Sequence, residues 1–342
     1  MKTLIKECHN RNIKLVMDLV VNHTSNEHAW FKSAISDPHS PYRNYYVIRR
    51  GKKNGKKPPN NWNSFFGGSA WERIPNTNDY YLHLFAKEQP DLNWESRRVR
   101  REVVDILRFW MDLGVDGFRL DVAFEVSHYF WKEIKMNILK KYPNCFFIGE
   151  DWLNSFERID NQEWDSTMNY PFRFALLRYF HEDNLNANWI SDRLTSLYLR
   201  YASPFSHQLL NLLDSHDTER FINSVNFNRD LYFMAYAILM FYPGVPEFYY
   251  GSEIFMEGRQ DPFNRKGMKW DSEEFKKADH KLFKKIISLY KLEALKFGSV
   301  KFYADRQIAY IERSYKNHTY LLAFHKGNKS VTCKVKNVIV SR

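Results

Sequence analysis

The sequence predicts an α/β fold built on a parallel sheet, with a long inserted segment and an antiparallel end. Short apolar runs of strand length alternate with amphipathic stretches of helix length over most of the 342 residues. This alternation is typical of a parallel sheet with right-handed crossovers. Residues 24–93 interrupt it, and after Gly298 it is replaced by alternating apolar and polar residues, a hairpin pattern.

The first predicted strand follows a short helix. Residues 4–8 have apolar side chains at helical spacing, and residues 13–21 form a near-continuous apolar run. Such runs are typical of strands that are buried on both faces of a parallel sheet. The pattern recurs where a helix predicted at 97–111 is followed by a loop and a strand at 114–122.

The alternation then continues through the middle of the chain. A helix is predicted at 128–141, and strands are predicted at 145–150, 166–169, 209–214 and 245–249. Acidic and polar residues recur at the strand ends. In a barrel of alternating strands and helices, the C-terminal ends of the strands carry the chemistry.

The interruption at 24–93 is too long for a connection between a strand and its helix, and it is rich in proline and aromatic residues. We interpret it as an inserted subdomain, which leaves residues 1–23 and 94–297 for the barrel. Residues 298–342 are predicted to start a small antiparallel β domain.

Composition excludes several classes of protein. A hydrophobic share of 44% excludes a disordered chain, and the 3 widely separated cysteines exclude a disulfide framework or a zinc knuckle. No apolar run reaches the ~20 residues that cross a bilayer, and the first residues lack the apolar core of a signal peptide. We therefore expect a cytoplasmic protein without a membrane partner.

The net charge of +11 raises the question of a polyanionic partner. The basic residues are scattered, except for the cluster at 49–57, which its glycines and polar residues mark as a solvated loop tip. The alternative, a patch for an acidic partner, rests on charge alone. No nucleic-acid partner is expected.

Four predicted strand ends collect polar side chains that a purely structural strand would not carry. Taken singly, each has an ordinary explanation, such as a core histidine, a structural ion pair or a helix cap. Together, they place acids, an arginine and two histidines around one mouth. The segments are 18–23 (DLVVNH), 117–121 (GFRLD), 148–150 (IGE) and 214–217 (DSHD).

In these motifs the sequence resembles the α-amylase superfamily of glycoside hydrolases, and the resemblance covers nearly the whole chain. The motifs are mixed between subgroups. Segments similar to oligo-1,6-glucosidases are 58–71, 80–85 and QPDLN at 89–93. Segments similar to neopullulanases and cyclomaltodextrinases are 168–173, 213–220 and 249–262.

The resemblance implies a (β/α)8 TIM-type barrel. Because the family's first motif ends the third strand, a motif at residue 18 implies a barrel lacking its first two strands, with the inserted subdomain after the third. The strands at 13–21 and 245–249 are then expected to have unpaired edges and exposed apolar faces. The loop that binds calcium in some members is absent, so we expect no metal and no cofactor.

The resemblance also implies roles for single residues. Cleavage of an α-glycosidic bond passes through an oxocarbenium-like state and uses two carboxyl groups. By resemblance, Asp121 is the nucleophile, Glu150 is the general acid/base, and Asp217 binds sugar hydroxyls and distorts the ring. The substrate-binding residues are His23, Arg119 and His216.

Two neighbours of the nucleophile carry further expectations. Arg119, two residues before Asp121, points to the same side of the strand and is expected to keep that carboxylate ionised. Val122 matches the residue that accompanies α-1,6 preference in the exo-acting subgroup. The alternative is that a valine simply suits a strand.

The function implied is retaining hydrolysis of α-glucosidic bonds in short malto- or isomalto-oligosaccharides. One alternative is an enzyme of the cyclomaltodextrinase or neopullulanase type, distinguished by the opening of cyclodextrins. Another is a truncated, catalytically silent remnant. A third, the amylase-like ectodomain of amino-acid exchanger heavy subunits, is disfavoured by the intact acids and the missing anchor. The oligomeric state is left open.

Overall fold

The structure, a computed structural model, describes residues 1–160, 162–277 and 280–327. It divides into two compact units. The first comprises Met1–Asp151 with Glu157–Asp165, and the second comprises Trp152–Phe156 with the residues from Ser166 onwards. Among the described residues, no helix is both long and apolar enough to cross a membrane.

Helices and strands alternate along the chain, as the sequence predicts. The strands are β1 (Val16–Leu19), β2 (Ile48–Arg50), β3 (Trp71–Arg73), β4 (Asp79–Leu82), β5 (Gly117–Leu120), β6 (Phe146–Gly149), β7 (Ser166–Thr167), β8 (Leu210–Asn211), β9 (Val245–Pro246), β10 (Ser299–Asp305), β11 (Ile308–Tyr315) and β12 (His318–Phe324). The helices are α1 (Lys2–His9), α2 (Ala29–Ser36), α3 (Lys52–Gly55), α4 (Arg97–Asp112), α5 (His128–Leu139), α6 (Phe156–Asp160), α7 (Tyr170–His181), α8 (Ala187–Leu199), α9 (Phe221–Ser224), α10 (Arg229–Phe241), α11 (Glu273–Lys277), α12 (His280–Ser288) and α13 (Glu293–Phe297).

In the first unit, β1, β5 and β6 form a parallel sheet with β5 in the middle. The register pairs Asp18 with Arg119 and Leu120 with Gly149. Because the strands are parallel, their C-terminal ends lie at one edge of the sheet. Asp121 and Glu150, the residues that follow β5 and β6, therefore lie side by side.

The strand predicted at 13–21 is shorter and more exposed than expected. Only Val16–Leu19 joins the ladder, because its strand partner β5 has 4 residues. Ile13, Val16 and Val20 are 52%, 41% and 49% exposed, so the expectation of a strand buried on both faces is wrong. The exposure agrees with the unpaired edge that the sequence predicts for β1.

α4 begins at Arg97 and buries one apolar stripe. Val99, Val103 and Leu107, spaced by four residues, are almost fully buried, while arginines occupy much of the remaining surface. This spacing keeps the apolar side chains on one face of the helix. It explains why the bounds of α4 were predicted to within one residue.

The segment 24–93 contains a small antiparallel sheet in which β4 lies between β2 and β3. Its core is aromatic, because Phe31 packs edge-to-face on both Tyr46 and Tyr81, with ring centroids 5.0 Å apart in each pair. Other aromatic side chains of the segment are exposed to solvent, so its aromatic content is divided between core and surface. The exposed ones are Trp62, Phe65 and Phe66.

The second unit ends in an antiparallel sheet with the strand order β10-β11-β12, which confirms the predicted antiparallel end. The guanidinium of the buried Arg313 donates to the carbonyls of Phe241 at 2.8 Å and Gly298 at 3.1 Å, so it ties β11 to the end of α10. The part of 298–342 beyond residue 327 lies outside the described residues. The domain boundaries stay predictions.

Candidate active site

One arginine contacts three carboxylates at the C-terminal edge of the parallel sheet. Nη1 of Arg119 donates to Oδ1 of Asp18 at 2.8 Å and to Oδ1 of Asp121 at 2.5 Å. Its Nη2 lies 2.9 Å from Oε2 of Glu150. The predicted nucleophile and the predicted general acid/base therefore meet at the two terminal nitrogens of one guanidinium.

The backbone of the sheet explains this arrangement. Arg119 and Asp121 are two residues apart, so their side chains leave the strand on the same face. The ladder continues past the strand ends, where the N–H of Asp121 donates to the carbonyl of Leu19 at 3.1 Å and the N–H of Glu150 donates to that of Leu120 at 3.0 Å. Each acid is thus held by a backbone hydrogen bond at the end of its strand.

Burial and charge act against each other at this site. The side chains of Arg119, Asp121 and Glu150 are 12%, 16% and 7% exposed. Burial raises the pKa of Asp121, and the Arg119 guanidinium offsets only part of the rise. Burial disfavours the charge of Arg119 as well, but the carboxylates of Glu150, Asp18 and Asp121 outweigh it and raise the pKa of the guanidinium. The predicted contact with Asp121 is present, but its effect on the pKa of that carboxyl is smaller than the effect of burial.

Val122, directly after the predicted nucleophile, has a left-handed backbone with a φ of 48°. A branched side chain is strained in this conformation, at a cost of roughly 1–3 kcal/mol. Its N–H donates to Oε2 of Glu150 at 2.8 Å. Val122 lies outside β5, so it is a positioned donor to the predicted acid/base rather than an ordinary strand residue.

His23 is buried and fixed by the inserted segment. Its Nε2 lies 2.9 Å from Nε2 of Gln89, whose Oε1 accepts from the N–H of Ala86 at 3.2 Å. The Gln89 nitrogen therefore donates to the ring. Burial lowers the pKa of His23, so the ring is neutral with its proton on Nδ1, a buried atom without a hydrogen-bond partner in the described part of the chain. A sugar hydroxyl is the kind of group that satisfies such a donor.

A group of phenylalanines lies beside His23. The ring of Phe85 is 6.0 Å from the imidazole and stacks on Phe65 at 4.9 Å with an interplanar angle of 17°. Phe65 meets Phe124 edge-on at 6.1 Å. Since Phe124 follows Asp121 by three residues, these rings connect the inserted segment to the predicted nucleophile. Their contact with substrate stays a prediction.

The other predicted site residues lie in the second unit. Nε2 of His216 is 3.0 Å from Oδ2 of Asp217, and Nη2 of Arg265 donates to Oδ1 of Asp217 at 3.1 Å. Arg265 also donates from Nε to the carbonyl of His216 at 3.0 Å, so it orients the pair.

Asp214, the first acid of the motif at 214–217, is buried and stabilises the surrounding structure. It accepts hydrogen bonds from Phe221, Tyr236 and Ser252.

Comparison with known proteins assigns the chain to a family. The pattern described as the alpha-amylase catalytic domain matches residues 1–294. The chain belongs to the alpha-amylase family. This membership confirms the resemblance and the α/β fold class, while the closure of the barrel stays a prediction.

Relatives within the alpha-amylase family divide in the way the motifs do. Neopullulanase 2 of Thermoactinomyces vulgaris is 31% identical over 333 residues, which is 96% of this chain and 54% of the relative. The oligo-1,6-glucosidase of Parageobacillus thermoglucosidasius is 60% identical over 126 residues, 37% of this chain and 22% of the relative. Cyclomaltodextrinase of Geobacillus thermopakistaniensis is 29% identical over 96% of this chain and 54% of its own. The chain thus spans about half the length of the relatives that match it throughout.

Solved structures of the alpha-amylase family also superpose on the chain. The cyclic alpha-maltosyl-(1→6)-maltose hydrolase of Arthrobacter globiformis matches with a TM-score of 0.82 and 27% identity, over 95% of this chain and 70% of its own. A cyclomaltodextrinase matches with a TM-score of 0.81 and 29% identity, over 94% of this chain and 53% of its own. The fold is therefore that of alpha-amylase catalytic domains.

The predicted site residues form two groups. The structure brings Arg119, Asp121 and Glu150 together in the first unit, and it brings His216 and Asp217 together in the second. The convergence of the two groups on one sugar stays a prediction.

Sequence reasoning missed three contributors to the first group and its surroundings. Asp18 contacts the same guanidinium as the two predicted catalytic acids. It is the first residue of the motif at 18–23, but only the register of β1 against β5 places it opposite Arg119. Gln89 and Asp91 belong to the QPDLN motif, which suggested only a subgroup. The polar side chains of this motif contact His23 and Asn22 of the motif at 18–23. The amide and the carboxyl of the motif were the sequence signal for these contacts.

Within the described ranges, no group of three or more His, Cys, Asp and Glu side chains is arranged to hold a metal ion. The carboxylates of the first unit gather around a guanidinium instead. The expected absence of calcium stays a prediction.

Asp91 is the buried acid of the QPDLN motif. Its Oδ2 accepts from the N–H of Leu84 at 2.9 Å and its Oδ1 accepts from the amide of Asn22 at 3.3 Å. Burial raises the pKa of Asp91 to about 7, although both hydrogen bonds act in the opposite direction. A carboxyl that ordinarily ionises near 3.8 is thus partly protonated at neutral pH.

We expect Asp91 to make the free energy of unfolding fall as the pH rises from about 4 to about 7. A raised folded-state pKa stabilises the fold fully below the unfolded pKa and ceases to do so above the folded one. At about 1.4 kcal/mol for each pH unit, the loss is roughly 4 kcal/mol. Urea unfolding of the parent and of Asp91→Asn across this range measures it. Parallel curves for the two proteins would contradict the assignment.

Proposed function

We propose that the chain is a glycoside hydrolase that cleaves α-glucosidic bonds in short malto- or isomalto-oligosaccharides with retention of configuration. One observation carries the proposal: Asp121 and Glu150 both contact the guanidinium of Arg119. A retaining mechanism needs two carboxyl groups about 5–5.5 Å apart. Binding to adjacent nitrogens of one guanidinium keeps two carboxylates within a short distance of each other.

In the proposed reaction Asp121 attacks the anomeric carbon while Glu150 protonates the departing glycosidic oxygen. The bond from sugar to leaving group breaks as the bond from sugar to Asp121 forms. Glu150, now ionised, then removes a proton from water, which attacks the same carbon and releases Asp121. Arg119 holds the nucleophile in place, and the N–H of Val122 donates to the acid/base.

The sugar hydroxyls are proposed to bind to His23, His216 and Asp217. The unsatisfied Nδ1 of His23 supports its part in this, and Arg265 keeps the His216 and Asp217 pair oriented. The cytoplasmic location and the absence of a cofactor stay predictions. The oligomeric state stays open.

A second candidate is hydrolysis of cyclic maltodextrins. It is favoured by the relatives that match along 96% of this chain, which include a neopullulanase and a cyclomaltodextrinase. The oligo-1,6-glucosidase match, by contrast, is much higher in identity but confined to 37% of the chain. We give more weight to the higher identity of the oligo-1,6-glucosidase, and this favours short linear oligosaccharides as substrates over cyclic ones.

Proton NMR of three digests tests both candidates. We expect hydrolysis of isomaltose to be faster than that of maltose, with the α-anomer of glucose appearing first, and slow or absent opening of α-cyclodextrin. A clear maltose preference would contradict the α-1,6 preference that Val122 suggests. Rapid opening of cyclodextrin would favour the second candidate, first appearance of the β-anomer would overturn the retaining mechanism, and no turnover of any substrate would overturn the proposed function.

A further inference from the structure

A cavity in the first unit has four arginines among its ten lining residues. It has a volume of about 450 Å³ and lies between the end of β2 and the start of α4. This volume is within the range of small-molecule sites. Asp79 is the one carboxylate that lines it, and the four guanidinium groups belong to Arg43, Arg49, Arg50 and Arg98.

Of these four arginines, Arg43 alone has an acidic partner among the residues that the structure describes. Nη2 of Arg43 contacts Oδ2 of Asp79 at 2.5 Å, and its Nη1 donates to the carbonyl of Ala34 at 2.8 Å. The cavity's one carboxylate is thereby used. Among the described residues, no carboxylate lies within ion-pair distance of Arg49, Arg50 or Arg98, and all three are exposed.

The start of α4 adds to the positive charge at this cavity. Its first turn carries Arg97 and Arg98, no acidic residue, and no side-chain cap from Ser96. Cations at this end oppose the helix dipole, which favours negative charge there. An anion at this end of α4 therefore meets both the favourable end of the helix dipole and the basic side chains.

We propose that this cavity binds a phosphate group, either free or carried on a sugar. Guanidinium groups bind phosphate oxygens through paired, charge-assisted hydrogen bonds. Arg49, Arg50 and Arg98 have no carboxylate within ion-pair distance in the described part of the chain to compete with a phosphate. A phosphate fills only part of about 450 Å³, so the cavity has room for an attached sugar. The site shares no residue with the proposed catalytic group.

An acidic macromolecule is the other anion that a basic surface attracts. It would engage the lysines of the basic cluster at 49–57 as well as the arginines. Lys52 and Lys57 belong to this cluster and are exposed, but they do not line the cavity. Substitution of these two lysines therefore distinguishes a phosphate site confined to the cavity from a diffuse basic surface.

Calorimetric titration of inorganic phosphate into the full chain, at an ionic strength fixed with sodium chloride, tests the proposal. Arg50→Gln with Arg98→Gln is expected to weaken phosphate binding at least about tenfold, because it removes two guanidinium groups that donate charge-assisted hydrogen bonds to the anion. The matched control, Lys52→Gln with Lys57→Gln, removes the same charge and is expected to change the affinity less than about twofold, since it removes no such bond. Arg50→Gln alone serves if the double variant melts below the parent.

The titration is repeated with glucose 6-phosphate. Tighter binding than inorganic phosphate identifies a sugar phosphate as the ligand, and equal binding identifies the free anion. Absence of phosphate binding by the parent, unchanged affinity in the arginine variant, or an equal loss in the lysine variant would each overturn the proposal. Binding is measured without hydrolysis, so this result does not depend on the proposed enzyme activity.

Discussion

Asp121→Asn and Glu150→Gln are each expected to lower kcat/KM for the cleaved oligosaccharide by at least about a hundredfold while the chain stays folded. Both substitutions keep the shape of the side chain and remove the group that does the chemistry. Loss of a positioned acid/base costs roughly 10²–10⁴-fold, and loss of the nucleophile removes the covalent route altogether. Initial rates on the better of isomaltose and maltose give the effect, and circular dichroism with thermal melting verifies the fold.

Asp18→Asn is the matched control for these variants. Asp18 contacts the same guanidinium as Asp121 and Glu150, but its side chain is about half exposed and it has no assigned role in bond cleavage. We expect a loss of less than about tenfold, because an exposed ion pair is worth roughly 0–1 kcal/mol. Near-normal turnover by either catalytic variant would remove that residue from the mechanism. An equally large loss in Asp18→Asn would mean that the charge balance around Arg119, rather than the chemistry of either acid, controls the rate.

The sequence predicts the existence of elements better than their extent. The apolar stripe of α4 depends only on residues within the helix, and its bounds were predicted closely. The length of β1 depends on its partner, because a ladder extends only as far as β5 pairs with it. That information lies about a hundred residues away in the chain, and the apolar run at 13–21 does not contain it.

The same distinction holds within the site. The contact between Arg119 and Asp121 is local, since a spacing of two residues places both side chains on one face of the strand. The contacts of Arg119 with Asp18 and Glu150 depend on the register of three strands. The pKa of Asp121 depends on burial, which is set by everything packed around it. A direction for that pKa deduced from the neighbouring arginine alone was therefore incomplete.

Arg119→Ala is expected to lower the free energy of unfolding by about 3–5 kcal/mol, the usual effect of removing one partner from a buried ion pair. The substitution leaves Asp121 and Glu150 buried without their cation. Arg108→Ala is the matched control, because Arg108 pairs with Asp105 on an exposed helix surface, where an ion pair is worth about 0–1 kcal/mol. Arg119→Lys keeps the charge but not the two terminal nitrogens, so an intermediate loss is expected. Urea unfolding at neutral pH measures all three, and similar losses for Arg108→Ala and Arg119→Ala would contradict the role of Arg119.

The pH dependence of the same variants separates catalysis from stability. Arg119 acts to lower the pKa of Asp121, against the larger effect of burial. Without the guanidinium, that pKa rises further, so Asp121 takes up a proton at a higher pH and stops acting as a nucleophile. Arg119→Lys keeps the charge and loses the hydrogen bond from the guanidinium to Asp121, so the acid limb of its kcat/KM profile is expected to move to higher pH by part of this amount, and further in Arg119→Ala. A structural role alone would reduce kcat/KM equally at every pH, and an unmoved acid limb would show that Arg119 supports the fold without tuning the nucleophile.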